Sequence, residues 1–273
     1  MILATVLAVA AVVGLVLVGL ELRPAARPLD TEREERWLVA HAPARLRPVL
    51  HHVDRRVAGG VMVGAAFVVL LVAGALVGWL LDSIDEGRGF ARWDRSAAAY
   101  GARHATPETT TVLKAITQFG ATPVLVVVAL AVGALAWRTR GGGPLLYLAV
   151  VLIGVVALNN GFKLLVDRER PDVRRLVQAS GSSFPSGHSA AAAACWAAIA
   201  LVALRRASRR GRAIGAAAAG VIAVAVATSR VLLGVHWLTD VMAGLLVGWG
   251  WFALATLAFG GRLLRLGAPV RRV

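Results

Sequence analysis

The sequence predicts an all-α membrane protein. Three observations carry that expectation. Apolar residues make up 58% of the 273-residue chain, against roughly 45–50% in ordinary globular domains. They gather in blocks of 16 to 22 residues with almost no charge, the length that crosses a hydrocarbon core of about 30 Å. The arginines stand in the segments between those blocks, as they do in the loops of multi-pass proteins.

Seven spans follow in order: residues 2–20, 61–81, 122–137, 145–165, 188–204, 213–229 and 238–259. The first is read as an uncleaved anchor, because nothing basic precedes it and no small-residue cleavage site follows. Several spans have only 16 or 17 residues, which at 1.5 Å per residue cover about 24–26 Å. Their helices are expected to continue into the flanking sequence. Thr122-Pro123 reads as an N-cap followed by proline at N1. The segment Thr109–Gly120 before it is helix-like and is placed along the surface. Asn159 and Asn160, late in the fourth span, are expected to hydrogen-bond to a neighbouring helix. Cys195 is the only cysteine, so no intrachain disulfide forms, and it reads as a small core residue.

The net charge of +15 suggests nucleic acid at first sight, but the position of the arginines between spans makes topology the better account. The loops Arg138–Pro144 and Arg205–Arg212 and the tail after Gly261 hold eleven arginines and no acids. The segments Asp82–Pro107, Val166–Gly187 and Arg230–His236 hold nine arginines and seven acids. The first set is therefore placed in the cytoplasm, which puts the C-terminus inside and the N-terminus outside. Residues 21–60 then form a cytoplasmic linker, in which Leu46, Val49, Leu50 and Val53 share one helical face.

This topology brings three polar clusters to one outer face: Lys163 to Pro171, Pro185 to His188, and Ser229 to Asp240. Lys163, Arg170 and Arg230 are three cations at helix ends, and only an anion among them relieves their repulsion. Phosphate fits, because arginine presents a planar fork of donors to its oxygens. Lys163 is one of only two lysines in the chain, and its compact charge suits a single phosphate oxygen. The Pro185–His188 turn opens a helix whose unpaired N–H groups favour anions. Gly187 lets the backbone approach a ligand, and Ser186 adds a hydroxyl. His236 and Asp240 are four apart, so a carboxylate can orient the ring and leave one nitrogen as a nucleophile. His188 can donate the proton to a departing oxygen. The residues alone leave the exchange of the two histidines open. Each cluster taken singly is more often structural. A zinc site of His188, His236 and Asp240 is the other sharp reading, and three nearby cations oppose a divalent ion.

These motifs resemble the type 2 phosphatidic acid phosphatase (PAP2) superfamily: Lys163 with Arg170-Pro171, Pro185 to His188, and Ser229-Arg230 with His236 and Asp240. The likeness covers residues 60–261. It implies an all-α membrane protein with a six-helix transmembrane phosphatase core over 60–261. Residues 1–59 add one extra N-terminal transmembrane helix and a cytoplasmic linker, and 262–273 a basic cytoplasmic tail. It also implies a bacterial plasma-membrane enzyme that cleaves lipid phosphate monoesters or diphosphates at the outer face, without a metal or other cofactor. Phosphatidic acid, phosphatidylglycerol phosphate and polyprenyl diphosphates are the candidate substrates, and the bilayer, not nucleic acid, is its partner; homo-oligomers stay open. By the resemblance His236 becomes phosphorylated, Asp240 orients it, and His188 is the general acid. Lys163, Arg170, Ser186, Gly187 and Arg230 hold the phosphate. Two alternatives stand beside this: a phospholipid-binding or flipping protein that does not hydrolyse, and a vanadium haloperoxidase-like enzyme, which the apolar spans oppose because those enzymes are soluble.

Overall fold

In a computed structural model of the chain, residues 55–263 are described, and among them every regular element is helical. The helices are α1 (Arg55–Asp85), α2 (Asp94–Arg103), α3 (Pro107–Gln118), α4 (Thr122–Arg140), α5 (Gly143–Leu165), α6 (Gly187–Ala203), α7 (Arg209–Leu232) and α8 (Leu238–Leu263). A 3₁₀ turn, Gly89–Trp93, precedes α2. A boundary between two compact units falls between Val68 and Val69, within α1. Helices α2 to α8 belong to the second unit.

Among the described residues, five helices are long and apolar enough to cross a membrane: α1 from Ala66, α4, α5, α7 and α8 to Phe259. Helix α6 is apolar and shorter, at 17 residues. Their apolar faces point outward as well as inward: Leu135, Ile153 and Val221 are 68–70% exposed. Such a surface is unusual for a protein in water and suits a hydrocarbon solvent. The chain is thus an all-helical, multi-pass membrane protein. The anchor expected over 2–20 and the amphipathic face of Leu46 to Val53 lie outside the described residues.

Two of the three short apolar windows continue into flanking helix, 122–137 and 213–229, whereas 188–204 stays at 17 residues as Gly187–Ala203. The window 213–229 belongs to a helix of 24 residues that begins at Arg209, with Ser208 accepting from Gly211 N–H as its N-cap. The arginines of that first turn are polar but good helix formers. The segment before α4 is helical too, with Thr106 and Thr109 forming a reciprocal capping box at its start. One cap differs from expectation. Ala121, not Thr122, is the N-cap of α4, and no side chain caps it.

Helix α6 is the packing centre, in contact with α4, α5, α7 and α8. It is buried nearly all round because Ala190–Ala194 present no bulk. Small residues on the partner complete the fit. A Cβ on Gly244 would lie 2.6 Å from Ser186 O, and one on Gly248 would collide with Ala190 O. Without a hydrophobic force between helices in lipid, such close backbone approach supplies the association energy. Farther along, Tyr147, Leu148, Val151 and Val155 of α5 pack against Ala191, Ala194 and Ala198. Tyr147 Oη lies 2.8 Å from Thr256 Oγ1, which satisfies both hydroxyls.

Candidate active site

The site gathers at one end of this bundle. It draws on the C-terminal end of α5 (Lys163), the N-terminal turn of α6 (His188), the C-terminal turn of α7 (Arg230), the α7–α8 turn (His236) and the first turn of α8 (Asp240). The irregular loop 166–186 supplies Arg170 and Ser186. The charges of these groups act on one another. Lys163 feels Arg170, Asp240 and Arg230, and His188 feels Arg230, His236 and Lys163.

The cations are held by neutral acceptors. Lys163 Nζ donates to Ser182 O at 3.0 Å. Arg170 donates to Gly181 O (3.0 Å), Ser180 O (2.9 Å) and Val235 O (2.7 Å). Arg230 is 7% exposed and donates through Nη1 to Thr117 Oγ1 at 3.1 Å, and its buried Nε has no partner. Backbone carbonyls and a hydroxyl fix these side chains without cancelling their charge. What remains is a positive cluster suited to an anion, most of all to one with several oxygens.

The turn Pro185–His188 is locked from below. Ser186 N–H donates to Asp240 O (3.0 Å), and Ser189 Oγ donates to Ser186 Oγ (2.9 Å). Gly187 is the first residue of α6 and has no side chain to block the approach: a Cβ there would lie 3.0 Å from Asn159 Nδ2. Gly120, in the α3–α4 turn, lets the chain come close behind His188. A Cβ on it would lie 2.7 Å from His188 O. Asn159 Oδ1 is buried without a partner.

His236 is 3% exposed. Arg170 Nη1 lies 3.3 Å from its Nε2. Guanidinium can only donate, so Nε2 accepts and the ring proton belongs on Nδ1. That nitrogen faces Asp240 Oδ2 at 3.5 Å, an ion-pair distance with no hydrogen bond made. Burial, more than any charge, holds the imidazole well below its usual range, at about 4; Asp240 opposes the shift, and Arg230 and Arg170 add to it. The ring is therefore neutral at ordinary pH, and its Nε2 lone pair faces the Arg170 guanidinium.

Helix α8 begins at Leu238, two residues after His236. The pair is therefore set by the turn before the helix rather than by one helical face. Asp240 Oδ2 accepts from Trp237 N–H at 2.9 Å, which closes the helix start.

Sequence reasoning missed several residues. Arg168 Nη1 meets Asp240 Oδ1 at 2.5 Å, and its Nη2 meets Asp94 Oδ2 at 2.7 Å. Thr117 holds Arg230, and the Ser180–Ser182 carbonyls hold Arg170 and Lys163. The crowding of charge in Asp167 to Arg170 was the only signal in the sequence for Arg168. Nothing local marks Asp94 or Thr117. Beside the loop lies a cavity of about 650 Å³ lined by Arg175–Ser180.

Comparison with known proteins agrees with this architecture. The profile of the PAP2 superfamily matches residues 144–263. A curated relative, phosphatidylglycerophosphatase B of Bacillus subtilis (strain 168), is 37% identical over 139 residues, 50% of this chain and 68% of the relative. A crystal structure described as the first transmembrane PAP2 type phosphatidylglycerolphosphate phosphatase from Bacillus subtilis superposes with a TM-score of 0.62 and 31% identity. The match covers 67% of this chain and 94% of that one.

Proposed function

Because this chain belongs to the PAP2 superfamily and is a membrane phosphoric ester hydrolase of that family, we propose that it hydrolyses the terminal monoester of phosphatidylglycerol phosphate through a phosphohistidine on His236. The choice of lipid follows the name of the curated Bacillus subtilis relative and the description of the Bacillus subtilis crystal structure. The observation that carries the mechanism is the 3.3 Å approach of Arg170 to His236 Nε2. The proposed nucleophile and a proposed phosphate ligand meet, with Lys163 and Arg230 close by.

The chemistry needs two displacements. The phosphate sits among Lys163, Arg170, Arg230, the Ser186 hydroxyl and the free N–H groups at the start of α6, where positive charge matches its equatorial oxygens. His236 Nε2 attacks phosphorus, a P–N bond forms, and the bond from phosphorus to the lipid oxygen breaks. His188 gives its proton to that oxygen. The negative charge of the bound phosphate favours the protonated form of His188 at that step. Water next attacks the phosphohistidine, His188 takes a proton from it, and inorganic phosphate leaves. Asp240 orients His236 and supports the charge that builds on the ring. Members of the first set of loops hold eleven arginines and no acids, which supports a site on the extracytoplasmic face of a bacterial plasma membrane.

A panel on purified protein tests the substrate. Phosphate release is measured from phosphatidylglycerol phosphate, phosphatidic acid and undecaprenyl diphosphate in the same detergent. The expected result is the highest kcat/KM on phosphatidylglycerol phosphate. A diphosphate turned over faster overturns the choice of lipid. Binding of all three without phosphate release favours a non-hydrolytic lipid carrier.

A further inference from the structure

Asp240 has no exposed surface, and each of its carboxylate oxygens has a donor of its own. Oδ1 accepts from Arg168 Nη1, and Oδ2 accepts from the Trp237 N–H. Both oxygens of Asp240 are thus engaged by other donors, and Oδ2 lies 3.5 Å from His236 Nδ1. Arg168 is itself fixed. Its Nη2 donates to Asp94 Oδ2 (2.7 Å) and its Nη1 also to Thr239 Oγ1 (2.8 Å), and it lies over the Trp237 ring at 5.5 Å. Asp94 accepts from Thr239 N–H (2.9 Å) and Thr239 Oγ1 (2.7 Å), so a residue of α2 caps the start of α8.

Arg168 differs in kind from Lys163 and Arg170. Their donors go to backbone carbonyls and, from Arg170, to the His236 ring, whereas its donors go to two carboxylates and a hydroxyl. Its charge is already matched, so it has little left for a phosphate. We propose that Arg168, held by Asp94, is a positioning residue: it fixes Asp240 behind His236 and sets how much negative charge that carboxylate offers the ring. The proposal rests on the reading of His236 and Asp240 as the catalytic pair. It gives a role to Asp94, which lies outside the segment matched by the family profile.

The charges make the idea testable by sign. Asp94, Arg168 and Asp240 together carry one net negative charge. Arg168→Gln leaves two, and Asp94→Asn leaves none. The other groups acting on His236 stay in place in both variants: Arg170 from the loop, Arg230 from α7 and His188 from α6, with Lys163 of α5 acting on His188 and Asp240. Ring NMR of ¹³C-histidine-labelled protein, assigned with His236→Ala, follows the His236 titration from its starting point near 4. Arg168→Gln is expected to move it up by about one unit or more, and Asp94→Asn to move it down. On phosphatidylglycerol phosphate, Arg168→Gln is expected to lower kcat by roughly tenfold or more through lost positioning, with KM within about twofold because no phosphate ligand is touched.

Shifts in opposite directions support the proposal, since a merely structural role gives them no reason to differ in sign. Unchanged titration in both variants overturns it, as do shifts in the same direction. A raised KM with unchanged kcat in Arg168→Gln also overturns it, by making Arg168 a substrate ligand. If Arg168→Gln does not fold, the sign of the shift in Asp94→Asn decides alone. The titration does not require turnover. If His236→Ala hydrolyses lipid at the native rate, the catalytic reading fails, and the titration still reports on Arg168.

Discussion

His236 shows at the scale of one residue how burial and function meet. A histidine 3% exposed loses the hydration that would stabilise its charged form. Folding therefore favours the neutral ring, and neutrality is what the nucleophilic role proposed for it needs. The same fact makes stability depend on pH, with a definite sign. The folded pKa, about 4, lies below the unfolded value near 6.5. Between those values the unfolded chain binds the extra proton, so stability rises with pH across the window and is fully present above it. For this one group the loss on acidification is on the order of 3 kcal/mol. The melting temperature of the purified protein is expected to fall between pH 6.5 and pH 4.5. His236→Gln is expected to lose less of it over the same interval. Parallel curves for the two proteins would remove His236 as the source.

At the scale of elements, the ends of helices hold the candidate site and their middles do the packing. The alanines of α6 allow α8 to approach until Gly244 and Gly248 meet its backbone. That contact brings Asp240 under Ser186, joined by a hydrogen bond of 3.0 Å. The spans described here were legible because apolar length is a local property. So were His188, His236, Lys163, Arg170 and Arg230, since each sits at or near the end of an apolar run. Arg168 and Asp94 were not legible, because their contact crosses 74 positions with no shared period. Thr117 meets Arg230 across 113. Thr122 looked like a cap because the residue type is right, but backbone geometry put the helix start one residue earlier.

The loop between α5 and α6 also offers a test of sidedness. Arg174 is exposed within it, and the chain's only native cysteine, Cys195, is buried. Arg174→Cys is expected to react with a membrane-impermeant maleimide added to intact cells. A cysteine in place of Gly142, in the α4–α5 turn, is expected to react only after lysis. The reverse pattern would put the site on the cytoplasmic side.

At the scale of the whole molecule, the bundle solves a problem of charge. Three cations near one another are unfavourable, and a membrane protein cannot leave them in hydrocarbon. Here α5, α7 and the loop between α5 and α6 bring them together, with backbone carbonyls holding Lys163 and Arg170 and a threonine hydroxyl holding Arg230. The positive field is then built before substrate arrives, so little reorganisation is left for the reaction. Membership of the PAP2 superfamily says which chemistry such a bundle serves, and the geometry around His236 supports the route proposed for this chain.

The most direct measurement is to stop turnover of ³²P-labelled phosphatidylglycerol phosphate within milliseconds and map any label on the protein. The account predicts an acid-labile, base-stable phosphate on the peptide containing His236, absent from folded His236→Ala. Turnover with no labelled protein, or label persisting in His236→Ala, would contradict it.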